Sequence, residues 1–175
     1  MNTVTTVDAA TGSGLAARVA KLAQVIGSPH FAAADRVALK RYAAGQALPL
    51  AFYRTWLRHL DDELPGETES RAWALLAWGL AFMGPRAHRR DRALGAALAA
   101  AGYSEARLER LLAAEAESQA DLFASMVRYL SNKGETFDWV DAARLLLTRD
   151  PERREATHRR IAAAYYRHPT SHQED

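Results

Sequence analysis

The feature that most constrains the fold is the run Glu-Thr-Glu-Ser-Arg-Ala-Trp-Ala-Leu-Leu-Ala-Trp-Gly-Leu-Ala-Phe-Met at positions 67–83. It contains no strand alternation, and Trp73, Leu75, Leu76, Trp78, Leu80 and Phe82 leave almost no polar face once it is wound as a helix. A helix that is apolar nearly all round has to be buried, so the rest of the chain must supply its cover. The acids Glu67 and Glu69 at its start complement the helix dipole and mark where it begins. Trp73 and Trp78 could in principle stack on the bases of a single strand. Five residues apart on so apolar a helix, they are assigned to the core.

The flanking segments have helical rather than strand periodicity. Leu15, Val19, Leu22 and Ile26 form one apolar stripe ending at Gly27, and Ser28-Pro29 breaks the chain. A second helix is expected over 33–44, with Val37, Leu39 and Tyr42 inward and Gly45 as its stop. Pro49 suits the first turn of a third helix, whose large side chains are Phe52, Tyr53, Trp56, Leu57 and Leu60. After position 92 come a short helix to Gly102, one opened by Ser104 as N-cap, one over 119–132 with Phe123, Met126, Val127 and Leu130 inward, one following Phe137-Asp138-Trp139, and a last one opened by Asp150-Pro151. With 49% apolar residues, many of them alanine, the chain is expected to be all-α. About nine helices are expected, in two packed lobes, 14–84 and 93–168, joined by a basic connector at 85–92. Residues 1–13 and the tail 169–175 are expected to be disordered.

The formal charge of +2 points to no particular partner, but the kind of base does. Lysine occurs only at 21, 40 and 133, so the positive charge is almost all arginine, whose planar fork matches phosphate oxygens. The connector packs Arg86, His88, Arg89, Arg90 and Arg92 against one acid, Asp91, and the last helix carries Arg153, Arg154, Arg159, Arg160 and Arg167. Guanidinium groups spread along a surface neutralise successive phosphates without selecting sequence. A solvated loop between helices would have the same composition.

Catalytic signatures are absent. There is no cysteine, which removes disulfides, thiolate metal sites and cysteine nucleophiles and is compatible with a reducing cytoplasm. The six histidines form no metal-ligand spacing, and the pair His168 and His172 falls at an end of the chain expected to fray. Thr11-Gly12-Ser13-Gly14 lacks the Gly-Lys-Ser/Thr ending of a phosphate loop. The acidic corner Asp61-Asp62-Glu63 beside His59 could be imagined as a hydrolytic site, but adjacent helical residues point apart, and a solvated helix end is the expectation. No metal or other cofactor is expected. No secretory signal is seen in the first residues, and no apolar run nears the roughly 20 residues of a membrane span, so the expected location is the cytoplasm.

Several pieces, in order, carry a resemblance: LKRYAAGQ, LPLAFYRTW, the tryptophan-rich helix, the basic connector followed by LGAALAAAGYSEARLERLL, then VRYL, GETFDW, ARLLL and RRIAAAYYR. Together, over positions 34–167, they resemble the CasB family, the small subunits of the type I-E Cascade complex of CRISPR immunity. The resemblance implies a non-enzymatic, all-α subunit present in two copies. Its partners would be the backbone and large subunits, guide RNA and target DNA. Its role would be to steady the R-loop through sugar-phosphate contacts while base pairing supplies specificity. By position in the matching motifs it implies contacts from Lys40, Arg41, Arg128 and Arg154. Local charge adds Arg86, Arg89, Arg90, Arg92 and Arg153. The helix opened by Ser104 departs from strongly basic relatives in carrying Glu115 and Glu117 near its end, with Arg107 and Arg110 as replacement contacts. A helical scaffold or dimerisation module with no nucleic-acid contact is the other reading.

Overall fold

The apolar run becomes α4 (Glu67–Met83), and every residue from Trp73 to Ala81 is buried. Residues 12–169 are described by the computed structural model; the expected tails outside that range are not. Among the described residues the other helices are α1 (Gly12–Gly27), α2 (Ala33–Arg41), α3 (Leu50–His59), α5 (Leu94–Ala100), α6 (Glu105–Ala113), α7 (Ala116–Asn132), α8 (Trp139–Leu147) and α9 (Pro151–Tyr166). The fold is all-α, and the one β-type feature described is a single parallel bridge between His88 and Phe137. No described helix is long and apolar enough to cross a membrane.

The cover that α4 requires comes from both sides of the chain. Helices α1 and α2 pack on it from the N-terminal half, α7 and α8 from the C-terminal half. Trp56 of α3 meets Trp73 edge to face at 5.1 Å, and one continuous cluster of buried side chains runs from Leu15 to Tyr165. The most extensive pairing is α5 with α9. It is possible because Gly95 presents no side chain: a Cβ there would lie 2.0 Å from the Ile161 carbonyl oxygen. Tyr165 Oη closes the same junction by donating to the Tyr103 carbonyl at 2.6 Å.

Helix ends follow local chemistry. The carboxylates of Asp138 and Asp150 accept from the backbone N–H of Val140 (3.0 Å) and Arg153 (2.9 Å), capping α8 and α9, whereas Ser104 occupies the N-cap position of α6 without a side-chain cap bond. Helix α2 ends at Arg41, short of the expected 44, because Tyr42 turns to extended backbone (ψ 138°) and buries its ring; Gly45, at φ 84°, serves the turn beyond.

Three apolar side chains expected inward are out. Val37 is 45% exposed because it lies two residues from buried Leu39, on nearly the opposite face. Leu57 (44%) is turned about 100° from buried Trp56, and Phe82 (37%) projects from the last turn of α4. The acidic corner is more than a solvated end. Asp61 pairs with Arg18 of α1 at 2.8 Å, and Trp56 Nε1 donates to the Glu63 carbonyl at 2.9 Å, which ties α1 and α3 together.

Candidate nucleic-acid interface

Lys40 and Arg41 close α2, where cations favour the negative end of the helix dipole. Both are exposed, and neither has an ionic partner among the described residues. Across α4, Arg128 stands exposed on α7 with its guanidinium carbon 5.0 Å from the Trp78 ring centre. Trp78 stacks in turn on Phe82, centroids 5.4 Å apart and planes 23° from parallel. Trp78 is therefore core, as its spacing implied, yet it also holds Arg128 in place through a cation–π contact.

One residue further along α7, Tyr129 is flanked by two cations, the Arg107 guanidinium at 5.2 Å and the Lys133 ammonium at 5.7 Å. Its hydroxyl lies 2.9 Å from the Ala101 carbonyl and 3.0 Å from that of Gly102, which fixes the ring. Arg107, Arg128 and Lys133 thus gather around the second half of α7. Arg154 does not join them. It is partly buried, and its Nη2 donates to the Ala114 carbonyl at 3.2 Å, beside the start of α7. The 12 residues from there to Arg128 correspond to about 18 Å of helix. Arg153 is exposed beside it.

The connector is less free than its composition indicates. Ala87 is buried, and the segment is stitched to residues 135–139. Arg89 N–H donates to the Phe137 carbonyl (2.9 Å), Asp138 N–H to the Arg92 carbonyl (2.7 Å), and Trp139 Nε1 to the Ala87 carbonyl (3.0 Å). His88 Nδ1 accepts from Trp139 N–H at 3.2 Å. Burial lowers the pKa of that imidazole, Asp138 opposes the shift, and Arg90 adds to it. Nor are the arginines without acids. Arg89 forms a forked pair with Asp91 (2.9 and 3.2 Å), which lowers the Asp91 carboxyl below its ordinary value. Arg92 reaches Glu135 at 2.7 Å, with only 25% and 23% of the two side chains exposed. Arg86 and Arg90 remain exposed and unpaired among the described residues.

No helical register could have announced the Trp78–Arg128 or Arg107–Tyr129 contact, because the partners are far apart in the chain. Lys133, four residues after Tyr129 at the end of the same helix, stands at the spacing that makes side chains neighbours, so that contact alone was within reach of the sequence.

CRISPR-associated protein Cse2 is the family whose pattern matches residues 35–166, three quarters of the chain. The chain belongs to the Cse2 family. This is the CasB family of the resemblance above, so the Cse2-family chain is assigned to a subunit of the Cascade complex. The crystal structure of a Cse2-family CRISPR-associated protein from Thermus thermophilus is similar in fold, with a TM-score of 0.68 and 22% identity over 87% of this chain and 97% of that one. Comparison with curated proteins gave no match.

Proposed function

We propose that this Cse2-family subunit is non-catalytic and stabilises the R-loop of its complex by sequence-independent contacts to the sugar-phosphate backbone of DNA. Lys40, Arg41 and Arg128 are its principal contacts. The observation that carries the reading is that these three cations are exposed and free of acidic partners, on helices that flank the same buried α4. Arg107 and Lys133 extend the cationic surface along α7, while Arg86 and Arg90 contribute from the connector. Arg154 is anchored beside the start of α7, about 18 Å of helix rise from Arg128 and on the order of five nucleotides along a strand at ~3.4 Å each, so it and its neighbour Arg153 would engage a different part of the backbone. A second copy, the backbone and large subunits and guide RNA are its proposed partners, and the cytoplasm its proposed location.

The test uses the assembled complex with guide RNA and measures target-DNA retention against salt. Replacing Lys40, Arg41 and Arg128 together by Ala should weaken retention and lower the slope of log affinity against log salt by roughly 0.7–0.9 per lost phosphate contact. Retention and slope equal to the unmodified complex would refute the assignment. Arg154 is left out of this variant because its bond to Ala114 ties α9 to the α6–α7 junction, so its loss would mix stability with binding.

A further inference from the structure

A second basic feature is lined by residues other than those contacts. Between α1, the 28–32 turn and α3 there is an open cleft of about 370 Å³, lined by Lys21, His30, Asp35, Arg54, Arg58 and His59. None of Lys40, Arg41, Arg128 or Arg154 borders it. Its single carboxylate, Asp35, is neutralised by an ion pair with Arg54. Counting Lys21, Arg54 and Arg58 against Asp35, the lining carries +2 with both imidazoles neutral (3 − 1 = 2). Lys21 and Arg58 have no ionic partner among the described residues, and both are exposed.

Shape and chemistry narrow the ligand. Val25 and Phe31 supply an apolar wall, and the far side of Phe31 is braced by Arg36, whose guanidinium lies 5.3 Å from the ring centre. Arg36 is itself fixed by donating to the carbonyls of Ile26 and Ser28, the latter at 3.0 Å, so the turn that forms one rim is held to the end of α1. A concave site of this size, with cationic groups converging from two helices and one apolar wall, suits a compact ligand better than a strand passing over a surface. Two net positive charges match a phosphate monoester, which carries about −1.5 to −2 near neutrality and offers three acceptor oxygens. A diester offers only one charge.

We infer that the cleft between α1 and α3 is a binding site for a phosphate monoester, with Lys21 and Arg58 as the charged contacts, Arg54 turned toward it by Asp35, and the His30 and His59 rings as further donors. The monoester is either a free one, such as a nucleotide or phosphate ion, or the terminal phosphate of a nucleic-acid strand. Its contact residues are distinct from those of the R-loop surface.

The intact purified protein would be titrated by calorimetry with adenosine monophosphate and with inorganic phosphate. In parallel, 3′-labelled short oligonucleotides bearing a 5′-phosphate or a 5′-hydroxyl would be compared by anisotropy. Saturable binding of at least one phosphate probe is expected. It should be weakened at least tenfold in Lys21→Ala/Arg58→Ala, two exposed positions whose loss should leave the circular dichroism spectrum unchanged, whereas mononucleotide and phosphate binding, and any preference for the 5′-phosphorylated strand, should be unaffected in Lys40→Ala/Arg41→Ala. Tighter binding of the mononucleotide assigns a free ligand, and preference for the 5′-phosphorylated strand assigns a strand end. Three outcomes overturn the inference: no saturable binding of any probe, equal binding by the Lys21/Arg58 variant, or loss of mononucleotide and phosphate binding in the Lys40/Arg41 variant alone.

Discussion

Gly79 shows how one residue can be required by packing. A Cβ at this position would fall 2.4 Å from the Trp139 ring. That ring cannot retreat, because Nε1 is bonded to the Ala87 carbonyl and its face stacks on Phe137 at 4.8 Å. Gly79→Ala should therefore destabilise the protein by about 1–3 kcal/mol despite alanine's better helix propensity, as a lower urea midpoint. His88 makes a prediction about pH. Its neutral Nδ1 accepts the Trp139 N–H, and burial depresses its pKa, so the unfolded chain takes up the proton more readily than the folded one. The stability it contributes is complete above the ordinary imidazole range near pH 6.5 and is lost as pH falls below it. The urea midpoint should drop between pH 7 and pH 5, and the drop should be smaller in His88→Asn, which keeps an acceptor but does not titrate. His158, whose pKa burial and then Arg154 also lower, leaves part of the dependence in place. At Arg128 the cation–π contact with Trp78 separates charge from shape: Arg128→Lys keeps the charge but loses the guanidinium held over the ring, and should retain most of the salt slope while costing no more than about 0.5–1 kcal/mol in thermal stability.

At the scale of elements, α4 was legible from its residues because burial on every side leaves no other pattern. The caps at Asp138 and Asp150 were legible because an acid before a helical run has a specific bonding task. What periodicity could not supply was which helix meets which. The α5–α9 crossing depends on an absent side chain at Gly95, in a stretch where alanine and glycine look equally plausible. Gly95→Ala would drive a methyl into the Ile161 carbonyl oxygen and to 2.7 Å from the Tyr165 amide nitrogen, both backbone atoms. The expected loss is at the upper end of the overpacking range, about 3 kcal/mol or more, measurable by the thermal midpoint. The connector's tie to the chain after α7 was not legible for a related reason: its charge is conspicuous, but its backbone hydrogen bonds to residues 137 and 138 involve groups that every residue carries. Arg92 accordingly serves the stitch to Glu135 rather than solvent.

Over the whole molecule, arginine content is what points to a polyanion partner, yet composition could not rank the arginines. Ranking needs the acids that neutralise them, and Asp91, Glu135 and Asp141 reach Arg89, Arg92 and Arg160 through folding, two of these pairings from well away in the chain. The cations left over include those around α4 and α7, Arg153 and Arg159 on α9, and the set that lines the α1–α3 cleft. The α5–α9 pairing carries one further consequence, for synthesis. Its two halves are separated by α6, α7 and α8, and Tyr165 reaches back 62 positions to the Tyr103 carbonyl. On the ribosome the close-packed face of α5 emerges early and stays uncovered until α9, the last helix described, follows it out. A nascent chain stalled before position 151 should accordingly hold α5 open to protease, and release of the complete chain should protect it.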